Sequence, residues 1–447
     1  MRRICTYFQL FFWGVALTGF AQGIDENEYV EKSLRRALSF MQTLQRNGGW
    51  AMRWTSDYQM TWGEYAVRPP DIITVQPPAT PGAAGIYLRA YQILKEPDYL
   101  SIAVRAGEAL MRGQLEHGGF PHEFIPGKME KKSGTFDDDV TQGATRYLLA
   151  LWKESHEQKF LTSVERCAQF MIDAQYENGG WPQAYPLGKG YSRYITLNDD
   201  AMMDVIRTLF LLYHELGDQR YYDAAVRGAD CLLQLQGAPP QAGWAQQFTP
   251  EGKPAPARRF EPVGLTSAES IGALRLLLEV YLETGDKKYL KAGPPAFEWL
   301  QASILPNGKL ARLYQYGDNR PIYSTEEGEI VYDVSLARPG YSWQGNYWDP
   351  KLRQIYEKLL DSPVEERREI AGQKSIPSLE QLKRAAYNSA RALDEQGRWL
   401  SPLVGSHLKQ YQEQFGAAEG MHEISTSDFV RHADRMLDYL EQARKSE

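Results

Sequence analysis

One short turn recurs along the chain: Asn47-Gly48-Gly49-Trp50, His117-Gly118-Gly119-Phe120, Asn178-Gly179-Gly180-Trp181, more loosely Gln241-Ala242-Gly243-Trp244, and a degenerate copy at Pro306-Asn307-Gly308-Lys309-Leu310. The aromatic positions stand 70, 61 and 63 residues apart, and 66 more reach Leu310. Self-similarity at a fixed period restricts a chain to stacked copies of one unit. A helix leads into each turn, as at Val30, Leu34, Ala37, Met41 and Leu44, or at Val164, Cys167, Met171 and Ala174. Glycine stops that helix because it accepts left-handed backbone. A second helix follows each turn, over 82–94, 140–154, 201–216 and 268–284, and each ends in a polar break and a Tyr-Leu or aromatic pair. Two helices per repeat predict an all-α stack of helical hairpins, either an open solenoid or an (α/α) toroid, and the polar patterns gathered on one set of loops favour a ring with a central cleft.

The helical pattern breaks over 310–347, where alternation and turns predict a few short strands or extended loops. Helices resume over 378–393 and 428–444. The chain has no linker long enough to separate independent units, so 22–447 reads as a single catalytic domain. Ahead of it, Arg2 and Arg3, the apolar run 7–17 and Gly19-Phe20-Ala21 predict a signal peptide at 1–21, and hence a secreted or periplasmic protein. No later stretch reaches the ~18 apolar residues of a membrane span. Losing the two arginines takes the formal charge from −7 to −9, which argues against a nucleic-acid binder. Cys5 precedes the apolar run; Cys167 and Cys231 sit on amphipathic helices and read as buried free thiols, with no thiol catalysis or zinc site implied.

The chemistry-bearing residues gather where the second helix of a repeat begins. That junction reads Thr135-Phe136-Asp137-Asp138-Asp139 in one repeat, Thr196-Leu197-Asn198-Asp199-Asp200 in the next and Arg258-Arg259-Phe260-Glu261 in the one after. Equivalent hairpins would open these junctions on one face. Asn198 with acids behind it is also an ordinary helix cap. Carboxylates from two neighbouring junctions offer oxygen ligands alone, which suits Ca²⁺ better than zinc. Glu261 can hold an arginine by a bidentate pair. An arginine works as a base only where positive charge and desolvation destabilise its cation.

Asn178-Gly179-Gly180-Trp181-Pro182-Gln183, Ile195-Thr196-Leu197-Asn198-Asp199-Asp200-Ala201-Met202, Gly243-Trp244-Ala245-Gln246-Gln247 and Arg258-Arg259-Phe260-Glu261-Pro262 together resemble the polysaccharide lyase family 10 pectate lyases, over most of 48 to about 348. The resemblance implies an incomplete toroid, Ca²⁺ dependence, and β-elimination of polygalacturonate with an arginine as base; a monomer is expected. Residue by residue it implies Asp137, Asp138 and Asp199 as metal ligands, Arg258 as base and Arg312 on the substrate carboxylate, with Arg259, Arg338, Trp181 and Asn198 as further substrate contacts. The chain departs from the family pattern at Asp138, where the family has Asn, and at Glu326-Glu327-Gly328, where the family has Arg-Asp-Gly. Arg320 or Arg338 would then stand in for the missing arginine. Two rival functions are a toroid glycoside hydrolase using Asp138 and Asp199, and a non-catalytic pectate-binding relative.

Overall fold

The computed structural model describes residues 26–64, 66–128, 131–362 and 377–446, so the expected signal peptide at 1–21, with Cys5, lies outside the described residues. The helices follow the periodicity closely: α1 (Glu26–Thr43), α2 (Thr80–Leu94), α3 (Pro97–Gly113), α4 (Val140–Ser155), α5 (Gln158–Asp173), α6 (Ala201–Leu216), α7 (Gln219–Gln234), α8 (Ser267–Thr284) and α9 (Gly293–Ala302). Beyond the extended region come α10 (Pro350–Asp361), α11 (Leu379–Arg391), α12 (Gly405–Phe415) and α13 (Thr426–Ser446). Odd-numbered helices through α9 lie outside; α2, α4, α6 and α8 form an inner row packed neighbour to neighbour, as an α/α toroid requires.

The glycine-aromatic turn is what joins one repeat to the next. Gly48, Gly118 and Gly179 have φ of +90°, +98° and +94°. A Cβ at Gly118 or Gly179 would stand 2.2 Å from the carbonyl oxygen of Arg166 or Arg227, on the outer helix of the following repeat. The turn can therefore dock there only without a side chain. The ring beside it goes inward. Trp50, Phe120, Trp181 and Trp244 are fully buried, and the indole N–H groups of Trp50, Trp181 and Trp244 donate to the carbonyls of Met41 (2.9 Å), Met171 (2.7 Å) and Leu232 (2.7 Å) at the ends of their own outer helices. Buried indole without such an acceptor would cost about 1–3 kcal/mol.

After each turn a two-residue strand pairs antiparallel with the strand that precedes the inner helix of the repeat before it. The register repeats: Glu123 opposite Thr74, Ala184 opposite Thr135, Gln247 opposite Thr196, Leu313 opposite Thr266. In every case the first partner is the third residue after the turn's aromatic or Leu position.

The same rule places the C-terminus. Arg53, third after Trp50, pairs with Ser425 just before α13, and a sixth turn, Gln396-Gly397-Arg398-Trp399, docks its glycine (φ +85°) against the Arg36 carbonyl of α1. Trp399 donates its indole N–H to Ser389 O at 2.9 Å, as its counterparts do. The last repeat thus stands ahead of the first in space, and α13 packs on α1 and α2, extending the inner row to α13-α2-α4-α6-α8. The extended region expected at 310–347 is present as short strands at 310–311, 313–314, 321–324, 330–331 and 344–345. Cys167 and Cys231 are buried and free, as expected. Among the described residues, no helix is long and apolar enough to cross a membrane.

Gly179→Ala is expected to destabilise the fold by roughly 2 kcal/mol or more, through positive φ and the clash with Arg227 O. Chemical denaturation monitored by far-ultraviolet circular dichroism would show it as a lowered midpoint; an unchanged midpoint would contradict the docking role.

Candidate active site

The repeated register delivers unlike side chains to one open face. A cleft of about 1330 Å³ there is lined by Asp137, Asp138, Asn198 and Asp199 on one side and by Arg258, Arg312 and Arg338 on the other. The acids come from two matching three-residue 3-10 turns, Asp137–Asp139 and Asn198–Asp200, that pack directly on each other. In each, two consecutive aspartates are left-handed: Asp138 and Asp139 have φ of 50° and 59°, Asp199 and Asp200 51° and 56°. Aspartate tolerates this region better than most side chains, at a cost of about 1–3 kcal/mol per residue. The helix proper begins only at Val140 and Ala201.

This geometry corrects the reading of Asn198 as a helix cap. Its side chain makes no cap hydrogen bond; it donates to Asp199 and accepts from Gln246 and, at 3.5 Å, from Arg312. Asn198 sits within the cleft lining as a tie between the acid and arginine sides.

Crowding shows in the protonation of the acids. Burial, followed by the charges of Asp137, Glu64 and Asp199, pushes Asp138 up to about 7. Asp137 and Asp199 are raised by burial too, against the pull of the Gln183 hydrogen bond and His122 on the first and of Arg312 and Arg258 on the second. Asp137 Oδ1 is buried with no hydrogen-bond partner. A ligand atom from each of His122, Asp137 and Asp138 can be chosen so that all lie within 4.8 Å of one another. A partnerless buried oxygen among mutually repelling carboxylates fits a hard divalent cation such as Ca²⁺, for which these oxygens are suitable donors. His122 was not foreseen from the sequence. It is the second residue after Phe120, and the same offset gives Gln183, Gln246 and Arg312, all of which reach this region.

The arginines are held by glutamates. Arg258 donates Nε and Nη2 to Glu261 Oε2 and Oε1 at 2.9 and 2.6 Å, and its main-chain N–H donates to Oε2 at 3.0 Å. Tyr341 Oη donates to Glu261 Oε1 at 2.7 Å, and Gln246 reaches it at 3.3 Å. Burial would raise Glu261, but these hydrogen bonds, Arg258 foremost, hold it below its ordinary range. The same pair holds the Arg258 cation well above its own. Arg312 donates to Glu269 Oε1 at 3.1 Å, and Arg338 to Glu326 Oε2 at 2.7 Å.

Two expected contacts are corrected. Trp181 does not reach the cleft: its ring is fully buried against Gly228 and serves the turn. Arg259 lies outside the lining, its Nε donating to Glu327 O at 2.7 Å. Of the two arginines considered as stand-ins near Glu326, Arg338 lines the cleft, whereas Arg320 pairs with Asp318 and stacks over Tyr332.

An inner row of hairpin helices with an acid-and-arginine cleft at one face defines an α/α toroid. A family model described as pectic acid lyase matches residues 125–307. Among solved structures, a mutant of a family 10 polysaccharide lyase from Cellvibrio cellulosa, in complex with trigalacturonic acid, is 23% identical, with a TM-score of 0.50 over 62% of this chain and 97% of that one. A family 76 glycoside hydrolase (mannosidase) from Bacteroides thetaiotaomicron VPI-5482 is 13% identical, with a TM-score of 0.50 over 93% and 100%. A D-mannose isomerase is 12% identical, with a TM-score of 0.51 over 94% and 100%. No curated protein sequence matches the chain. The structures bear out the toroid, and the family match over 125–307 bears out the resemblance to family 10 polysaccharide lyases and the reading as a polysaccharide lyase.

Two outcomes follow from the site. Trp181→Ala should cost about 3–5 kcal/mol of stability, as a buried aromatic truncation does, rather than weaken sugar binding by the folded protein; a stable variant with weakened binding would restore the stacking role. In metal-free protein, the raised Asp138 binds a proton that the unfolded chain has released, so stability present below about pH 4 is lost as pH rises to about 7. Asp138→Asn should remove that slope and raise Tm in chelator at pH 8 by roughly 2–4 °C.

Proposed function

We propose that this protein is a secreted or periplasmic, monomeric, single-domain pectate lyase that depends on Ca²⁺ and cleaves polygalacturonate by β-elimination. The observation that carries the reading is the convergence, in one cleft, of Asp137, Asp138 and Asp199 from two repeats with Arg258 and Arg312 from the next two, in a chain whose 125–307 region matches the pectic acid lyases. Asp137, Asp138 and Asp199 would hold Ca²⁺, with His122 beside them. When bound, the ion would supply positive charge that neutralises the uronate carboxylate and makes the C5 proton more acidic.

Arg312 would bind the uronate carboxylate, through a guanidinium whose charge burial disfavours and Glu269 supports. Asn198, itself held by Gln246, accepts from Arg312 on the acid side. Arg258 is the base in this reading. Its pair with Glu261 uses Nε and Nη2, so Nη1 is the nitrogen left to receive the C5 proton. The pair also opposes that role, because it favours the cation; Arg258 works as a base only when positive charge in the cleft offsets Glu261. The reaction should therefore collapse without the metal, not merely bind substrate more weakly. As the C5 proton leaves, the electron pair forms the C4–C5 double bond and expels the 4-linked sugar oxygen.

Ultraviolet absorbance of the 4,5-unsaturated product, followed on polygalacturonate with Ca²⁺ and then with chelator, tests the reading. Chelation should abolish product formation, and Arg258→Ala should lower kcat by at least ~100-fold, the usual scale for losing a general base, while retaining the circular dichroism of the parent. Chains shortened without unsaturation would instead support hydrolysis by Asp138 and Asp199. Binding without any cleavage would support the non-catalytic alternative.

A further inference from the structure

The arginine side of the cleft is a ladder in which cations and rings alternate. The Arg338 guanidinium lies 4.1 Å from the Phe260 ring centroid; Arg258 lies 5.1 Å from the same ring and 5.9 Å from Tyr341; Arg312 lies 5.0 Å from Tyr341. Phe260 and Tyr341 meet edge to face at 5.2 Å. Shared rings attract each cation and hold neighbouring arginines at fixed intervals. A row of cations suits a polymer that carries a carboxylate on every sugar.

Each arginine also has one glutamate, and the three glutamates differ in kind. Glu261 and Glu269 are only 1% and 4% exposed, so those pairs are built into the wall and serve to position their arginines. Glu326 is 63% exposed, on the turn that joins the strands at 321–324 and 330–331, and it meets Arg338 through a single Nε contact of 2.7 Å. Exposed pairs are worth about 0–1 kcal/mol and exchange readily. The main chain of Arg338 is fixed, its N–H donating to Ser324 O at 2.8 Å and its carbonyl accepting from the Trp343 indole at 2.9 Å. Thus the clamp is anchored and its present ligand is not.

We propose that Glu326 is a built-in competitor: a side-chain carboxylate that occupies the outermost clamp, Arg338, until a substrate carboxylate displaces it. A neutral, methyl-esterified sugar has no charge with which to displace Glu326, so Arg338 engages free uronates and Glu326 tempers the affinity with which it does so. The inference rests on the acidic-polysaccharide reading above and deepens it.

The test is calorimetric binding of fully de-esterified and fully methyl-esterified galacturonate oligomers to the full chain, with Ca²⁺ present. Glu326→Gln should bind the acidic oligomer roughly 3-fold to 10-fold more tightly, the scale set by removing one exposed competitor charge. Arg338→Gln should bind it more weakly, and in that background Glu326→Gln should have no further effect on the acidic oligomer. Neither change should alter affinity for the esterified oligomer, and in turnover the effect of Glu326→Gln should fall on KM rather than kcat. Equal acidic-oligomer affinity in Glu326→Gln and the parent, or a Glu326→Gln gain that persists without Arg338, overturns the inference while leaving the lyase reading in place. A parent protein that binds no acidic oligomer overturns both.

Discussion

The structure depends on the contact between a glycine turn and the backbone of the next repeat. With Gly118 or Gly179 against an arginine carbonyl, there is no room for a side chain, and the geometry leaves little freedom for how one hairpin sits on another. The strand after the turn then pairs at a fixed register with the strand before the preceding inner helix. A register slip of one residue would turn every side chain to the other face. The cleft is therefore assembled by packing that is the same in every repeat, although its side chains differ in every repeat.

That division separates scaffold residues from site residues. Trp50, Phe120, Trp181, Trp244 and Trp399 hold one equivalent position and are all buried. Two residues after Trp50, Phe120, Trp181, Trp244 and the degenerate Leu310, the same backbone geometry presents Met52, His122, Gln183, Gln246 and Arg312. What is repeated serves the repeat; what changes is free to serve the chemistry. The paired left-handed aspartates show the cost of this arrangement. Asp138 and Asp139, like Asp199 and Asp200, carry backbone strain that a simple capped helix would avoid, and the surrounding hairpins must offset it.

Most of the fold was legible because the hydrophobic period is strong: the expected inner helices at 140–154 and 201–216 differ from those observed by one residue or none. The sixth turn escaped notice because Arg398 stands where the other clear copies have a second glycine or alanine-glycine, and only the docking of Gly397 on Arg36 reveals the equivalence. Trp181 was misplaced because a tryptophan near sugar-binding motifs reads as a platform, when an aromatic ring at that position in four of the five turns read from the sequence already argued for packing. Asn198 was misread because a cap and a left-handed 3-10 turn share the same residues; φ, which sequence does not carry, distinguishes them. His122 was recoverable in principle, since its offset from Phe120 equals that of Arg312 from Leu310.

The two ends of the chain explain how a partial ring can present a defined cleft. Repeats in an open stack leave raw edges that need covering. Here α13 covers the free side of α2, with Arg89 donating to Asp438 at 2.8 Å, and the Ser425-Arg53 pairing fixes the chain that follows the first turn. That chain, clamped further by Arg53 to Glu423 at 2.6 Å and by Trp62 against His407, carries Glu64 and Arg68 to the cleft, where Arg68 pairs with Glu123 beside His122. Residues on both sides of the 125–307 family region thus shape one wall of the site. Glu64 adds its charge to those that raise Asp138 and Asp199, so the terminal repeat acts on the acid cluster through a strand that it holds in place.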